Sequence, residues 1–181
     1  MLRALIIVAV LAVCVPCRAD VQGPVITKAG DVYHLTLPAR LAAAIEKAVP
    51  GFEPEDLTSY DSDIQERYQF TSRQAPWAVV GDFDADGVED VIVDGRAHGR
   101  GYELCVWGAS ASVDTLLVER RKWPRPFHAV LMYDAPGDQT TNFTDESLFI
   151  WADAYEVYYF GKAGSLKYWA NGKWNSWQNS D

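Results

Sequence analysis

The stretch Trp77-Ala78-Val79-Val80-Gly81-Asp82-Phe83-Asp84-Ala85-Asp86-Gly87-Val88-Glu89-Asp90-Val91-Ile92-Val93 sets two apolar runs around an acidic centre. Trp77 to Val80 and Val91 to Val93 are short, rich in β-branched residues and bounded by Gly and Asp, which is the signature of buried strands. Between them Asp82, Asp84 and Asp86 recur every second residue, Gly87 follows, and Asp90 comes three later. The stretch therefore reads as strand, acidic loop, strand.

Calcium is a hard cation that takes six to eight oxygen ligands, and carboxylates at loop positions 1, 3 and 5 reach one ion only if the chain wraps round it. Glycine at position 6 permits that sharp turn. Asp82, Asp84 and Asp86 hold the first three positions, the carbonyl of Val88 is next in line, and Asp90 at position 9 can close the shell. An EF-hand would need a bidentate Glu at position 12, which is Val93, and a helix on each side. That reading fails. Asp-rich turns with a glycine also occur without an ion, but the four aspartates of this nine-residue loop repel one another unless a cation neutralises them. Calcium fits better than magnesium, which keeps its waters and rarely uses an all-protein cage.

The run from Ala78 to Val93 resembles the calcium-binding repeat known as FG-GAP or VCBS, found in integrin α-chain propellers and in exported bacterial proteins. The resemblance covers about sixteen residues closely. It implies a β-hairpin calcium loop held by Asp82, Asp84, Asp86, the Val88 backbone and Asp90. A propeller needs typically 4–8 blades. One copy is present here, so a compact single-copy relative is expected.

Outward from the loop, further short runs continue to the C-terminus: Tyr102 to Trp107, Val113 to Val118, Phe127 to Tyr133, Leu148 to Trp151, Glu156 to Phe160, Leu166 to Ala170 and Lys173 to Trp177. Strands this short and this closely spaced predict a mainly β fold (α+β), an antiparallel meander that closes into a barrel, a sandwich or propeller-like blades. The polar interval 134–146 reads as a loop. Asn171-Gly172 is the preferred pair for a two-residue type I′ hairpin, which sets Trp169 opposite Trp174. These two indoles, with Trp177, either staple the hairpin or form a stacking surface for a protein or glycan partner. Residues 20–76 read as helix and loop, with a short strand around Val32 to Leu37. Pro38 opens a helical pattern in which Leu41, Ala44, Ile45, Ala48 and Val49 share a face, and Pro50-Gly51 ends it. The expected organisation is one domain over 20–181.

Residues 1–19 read as a signal peptide. Arg3 precedes an apolar core from Ala4 to Val15, too short to span a bilayer, and Cys17-Arg18-Ala19 supplies the small residues that a signal peptidase reads. Export to the periplasm or medium is expected, with no membrane span after cleavage. Cys14 and Cys17 leave with the leader, so Cys105 has no disulfide partner. In 181 residues, 25 acidic against 16 basic side chains give a formal net charge of -9, which argues against a nucleic-acid partner. The basic run Arg120-Arg121-Lys122-Trp123-Pro124-Arg125 interrupts this balance and reads as a solvated strand end or an anion-docking patch.

Enzymatic signals are weak. His34, His98 and His128 lack metal-ligand spacing, no Ser stands in Gly-x-Ser-x-Gly, and Cys105 sits mid-strand as an inert thiol. The expected function is an exported, non-enzymatic, calcium-stabilised β domain acting as a binding module. The alternative is a hydrolase acting on polysaccharide or peptidoglycan through acidic residues.

Overall fold

The central strands are buried on both faces, and that explains why their sequences are continuous apolar runs rather than alternating ones. The structure is a computed structural model that describes residues 23–30, 32–119, 127–140, 147–159 and 162–180. The leader and the basic run 120–125 lie outside the described residues.

In chain order, β1 (Val25–Ala29) and β2 (Val32–Thr36) form an antiparallel hairpin, followed by helix α1 (Ala39–Ala48), β3 (Glu53–Pro54) and helix α2 (Ser62–Arg67). Strands β4 (Gln74–Ala75), β5 (Ala78–Gly81), β6 (Asp90–Ala97), β7 (Arg100–Val106) and β8 (Val113–Glu119) then run side by side as one antiparallel sheet. β3 joins the same sheet by pairing with the far end of β6. Strand β9 (Ala129–Asp134) leads to the hairpin of β10 (Gly137–Thr140) and β11 (Ser147–Ile150). Finally β12 (Ala154–Tyr159), β13 (Ala163–Ala170) and β14 (Lys173–Ser180) form a second sheet in the order β14-β13-β12-β9.

Period-2 alternation sends β5, β6 and β7 into two different cores. Ala78, Val80, Val91, Val93, Leu104 and Val106 face the N-terminal layer, where Leu41, Ile45 and Val49 of α1 meet them. Val79, Ile92 and Cys105 face the second sheet and pack with Phe83, Trp107, Leu131 and Tyr155. α1 uses the apolar face predicted for it, and α2 starts where the Asp61 carboxylate accepts the Ile64 N–H at 2.9 Å. The sheets are stitched at β9, where Leu131 N–H donates to the Pro76 carbonyl at 2.9 Å and Tyr133 N–H donates to Gln74 Oε1 at 2.8 Å. Leu166 and Ala154 of the second sheet meet Ile150 of β11 in a third cluster, with Leu148, Tyr168 and Trp177 against them.

The mainly β, antiparallel class is as the sequence predicts. The strands divide into a six-stranded and a four-stranded sheet plus two hairpins, and no closed barrel forms among the described residues. Two further expectations are corrected. The polar interval after Asp134 contains β10, which pairs with β11, and the N-terminal third holds β1, β3 and β4 beside its helices and the expected strand β2. Backbone pairing needs no apolar side chains, so these polar or very short strands leave no periodic trace.

The C-terminal hairpin has the predicted turn. Asn171 and Gly172 have φ of 54° and 73°, and Trp169 stands opposite Trp174. The two rings meet edge to face at 5.6 Å, and Trp174 also lies 5.8 Å from Phe83, 5.4 Å from Tyr155 and 5.9 Å from Trp107. Trp174 is thus a packing hub between the sheets. Truncating it in Trp174→Ala should remove about 3–5 kcal/mol of unfolding free energy, read by urea denaturation; a loss below about 1 kcal/mol, as for an exposed surface residue, would contradict this packing role.

Candidate metal centre

The loop between β5 and β6 starts from the most buried part of the fold. Gly81 pairs with Asp90 at the last rung of the ladder, and the chain between them bends back on itself. The bend is shaped by the aspartates. Asp82 Oδ1 accepts the Asp86 N–H at 3.0 Å and its Oδ2 accepts the Gly87 N–H at 2.9 Å. Asp84 Oδ1 shares the Asp86 N–H at 3.2 Å, and Asp86 Oδ1 takes the Val88 N–H at 2.8 Å. Gly87 sits at φ 84°, the left-handed region that glycine reaches without a steric cost, and Ala85 at φ 60°.

Asp82, Asp84 and Asp86 each offer a carboxylate oxygen within 4.8 Å of the others. All three side chains lie near the surface, with Asp84 and Asp86 in the exposed class and Asp82 half-buried. Partial burial, the Asp86 charge and then the Asp82 charge hold the Asp84 carboxyl above its usual range. The donor set is oxygen only, dense in negative charge and built on a tight turn. Those features suit a hard divalent cation, which would supply the charge neutralisation the three carboxylates lack.

Asp90 is placed differently from the expectation that it closes the shell. It is 1% exposed, turned under the loop and outside the three-carboxylate cluster. Its Oδ2 accepts the Phe83 N–H at 3.0 Å and its Oδ1 accepts the Gly108 N–H at 2.6 Å. Burial pushes this carboxyl up to about 7, against the pull of those two donors. Asp90 therefore ties the loop to the turn after β7, and Phe83, fully buried, plugs the inter-sheet core directly below. Val88 contributes its N–H to Asp86.

A second brace comes from the other sheet. Asp153, just before β12, accepts the Asp82 N–H at 2.8 Å, the Tyr133 hydroxyl at 2.7 Å and Arg73 Nη1 at 2.9 Å, while its own N–H donates to the Asp82 carbonyl at 3.1 Å. Arg73 also lies over the Tyr133 ring at 5.1 Å. Nothing in the linear sequence links Asp153 to the loop 71 residues earlier.

Three buried carboxyls form a separate group that sequence patterning leaves unremarked. Asp94 and Glu103 are register partners on β6 and β7, and Glu55 follows β3 on the same edge. Their one sequence signal is an acid set inside an apolar run, as in Val91-Ile92-Val93-Asp94 and Glu103-Leu104-Cys105-Val106. Of the histidines, His128 pairs with Asp61 at 2.5 Å, and His98 occupies the β6–β7 turn at φ 51°. Cys105 is buried and unpaired, and burial pushes its thiol far up, as an inert core thiol requires.

No family model matches the chain, and neither does any curated protein or solved structure. The different placements of Asp90 and Asp84 separate two roles. In a chelator, Asp90→Ala should cost about 2–4 kcal/mol of unfolding free energy, because two buried backbone N–H groups lose their acceptor. Asp84→Ala under the same conditions should change stability by less than about 0.5 kcal/mol; denaturant melts that rank the two the other way would refute the assignment.

Proposed function

We propose that this protein is an exported, non-enzymatic β domain whose loop from Asp82 to Asp90 is held by calcium, and that it serves as a binding module for a protein or glycan surface. The observation that carries the reading is the convergence of the Asp82, Asp84 and Asp86 carboxylates on one side of a pre-bent loop. The braces at Asp90 and Asp153 support it, since they fix both ends of that loop to the two sheets. The leader-like residues 1–19 support export, and a chain without a disulfide partner for Cys105 gains most from such a clip. Among side chains suited to a partner, Trp169 and Trp174 are engaged in the inter-sheet core, and Trp177 packs on the outer cluster. Trp151 is 84% exposed with Phe149 edge-on at 4.6 Å, which makes that pair the more available aromatic surface.

Extracellular calcium modules bind with dissociation constants of about 10⁻⁴–10⁻³ M. At free calcium about ten times such a constant, binding to the native state adds roughly 1.4 kcal/mol. For a chain of this length that corresponds to a rise in melting temperature of roughly 3–6 °C. We expect that rise on adding calcium, its reversal by a chelator, and its loss in Asp82→Asn and Asp86→Asn. A melting temperature indifferent to both calcium and chelator would overturn the reading.

A hydrolase acting on polysaccharide or peptidoglycan is the competing reading, favoured by one observation. Asp94 and Glu103 are buried carboxyls facing each other on neighbouring strands, and paired carboxyls are the working parts of glycoside hydrolysis. Turnover of purified peptidoglycan or a soluble polysaccharide that vanishes in both Asp94→Asn and Glu103→Gln would place it first. A wild-type protein that turns over neither substrate would remove it.

A further inference from the structure

The inner face of the second sheet changes chemistry halfway along its strands. At one end Tyr155, Trp169 and Trp174 pack into the core between the sheets. Further along the same face, alternation brings Lys167 and Ser165 of β13 beside their register partners Ser176 and Gln178 of β14. Polar residues on a face turned toward another sheet break the pattern that builds a core, and such breaks gather at functional sites. The sheets do not close over them. A cleft of about 660 Å³ opens there, walled on the other side by Leu116 and Leu117 of β8. Strand pairing is irregular at Glu103 opposite β8 and at Gly164 and Ser165 opposite β14, and all three residues line the cleft. Bulges re-aim side chains and are over-represented beside binding and active sites.

One acid, one lysine and one histidine line the cleft. His128 is held by Asp61 at 2.5 Å. Glu103, 6% exposed, accepts the Tyr155 hydroxyl on Oε1 at 2.7 Å. Lys167 Nζ donates to Ser176 Oγ at 2.9 Å, which lies 2.8 Å from Ser165 Oγ. The Lys167 charge acts on Glu103, yet among the described residues no ion pair within 4.0 Å joins the two. An ammonium carries three donors and a carboxylate accepts several bonds, so each keeps capacity for a ligand.

That pair selects against charge of either sign, because a cation drawn to Glu103 is repelled by Lys167 and an anion the reverse. A neutral ligand with adjacent hydroxyls suits both: one hydroxyl donates to the carboxylate while its neighbour accepts from the ammonium. The Ser165 and Gln178 side chains, each donor and acceptor, continue the same row. Tyr159, 54% exposed, adds a ring face to the cleft. A peptide strand is less well served. β8 is the edge of its sheet, but Leu116 is the extra residue of its bulge, which disrupts the ladder a peptide would extend. We propose that this cleft binds a neutral oligosaccharide, whose neighbouring hydroxyls bridge Glu103 and Lys167 and whose ring lies against Tyr159. The inference rests on the binding-module reading and gives that module its ligand class and its site.

Calorimetric titration of the purified protein in calcium and about 0.15 M salt, where exposed charges are screened beyond about 8 Å, uses three sets of probes. Cellotetraose, maltotetraose and the tetramer of N-acetylglucosamine are neutral. The deacetylated tetramer and tetragalacturonate carry the two signs of charge, and N-acetyl-(Thr-Val)3-amide is an uncharged strand. At least one neutral sugar should bind at millimolar concentration or below, about tenfold more tightly than either charged sugar or the peptide. Lys167→Met and Glu103→Gln should each weaken it about tenfold, Tyr159→Ala by a smaller factor, and Trp151→Ala should leave it unchanged. Thermal melts establish that the variants are folded, and half-exposed Lys167 is the variant least able to disturb the core. The proposal fails if no neutral sugar binds, if a charged sugar or the peptide binds as tightly, or if folded Lys167→Met binds undiminished. Sugar binding that survives Lys167→Met and is lost in Trp151→Ala overturns the cleft assignment while leaving the binding-module reading in place.

Discussion

Burial of β5, β6 and β7 on both faces is the constraint from which the rest of the structure follows. Three adjacent strands that set apolar residues on both faces cannot leave either face in water without losing the stabilisation of roughly 25 cal/mol per Å² that burial brings. One face is covered by α1 and the segment around Tyr60 and Ile64, the other by the second sheet. The chain must therefore lay down a covering layer before the central sheet and another after it. The order of elements does that: helices first, β4 to β8 next, and β9 to β14 last.

The acidic loop inherits its rigidity from this arrangement. It leaves and re-enters the central sheet at Gly81 and Asp90, where the ladder is fully buried. Asp90 fastens the loop to the turn at Gly108, and Asp153 fastens Asp82 from the opposite sheet. The carboxylates of Asp82, Asp84 and Asp86 are thus displayed at the surface by a frame whose own polar groups are satisfied inside. The same sheet carries the opposite arrangement at its other end. There Asp94 is buried with an empty acceptor, beside Glu103 and Glu55. One acidic cluster is exposed on a braced loop; the other is sealed among apolar walls.

The legible part of the fold was the part written in apolar periodicity. The helical face of Leu41, Ile45 and Val49, and the nine runs from Trp77 onward, all mark elements that bury side chains, and each has its counterpart in the structure. The Asn171-Gly172 turn was legible for a different reason, because a type I′ turn demands positive φ at both central residues and few pairs tolerate it. What escaped were β1, β3, β4 and β10, short strands held largely by backbone hydrogen bonds. In the candidate site, the spacing of Asp82, Asp84 and Asp86 foretold their convergence. It gave no hint that Asp90 turns inward, because direction at that position is set by the N–H groups of Phe83 and Gly108.

The amino-acid order by itself thus determined the mainly β class, the strand–loop–strand around the aspartates and the cross-strand pairing of Trp169 with Trp174. All of these depend on local dihedral preference or on the alternation of neighbours along the chain. Only the tertiary structure decided the partners of Asp153, the packing of Trp174 between the sheets and the burial of Glu55, Asp94 and Glu103 near one another. Those depend on which surfaces come together across tens of residues, and contacts of that kind leave no periodic trace in the chain that makes them.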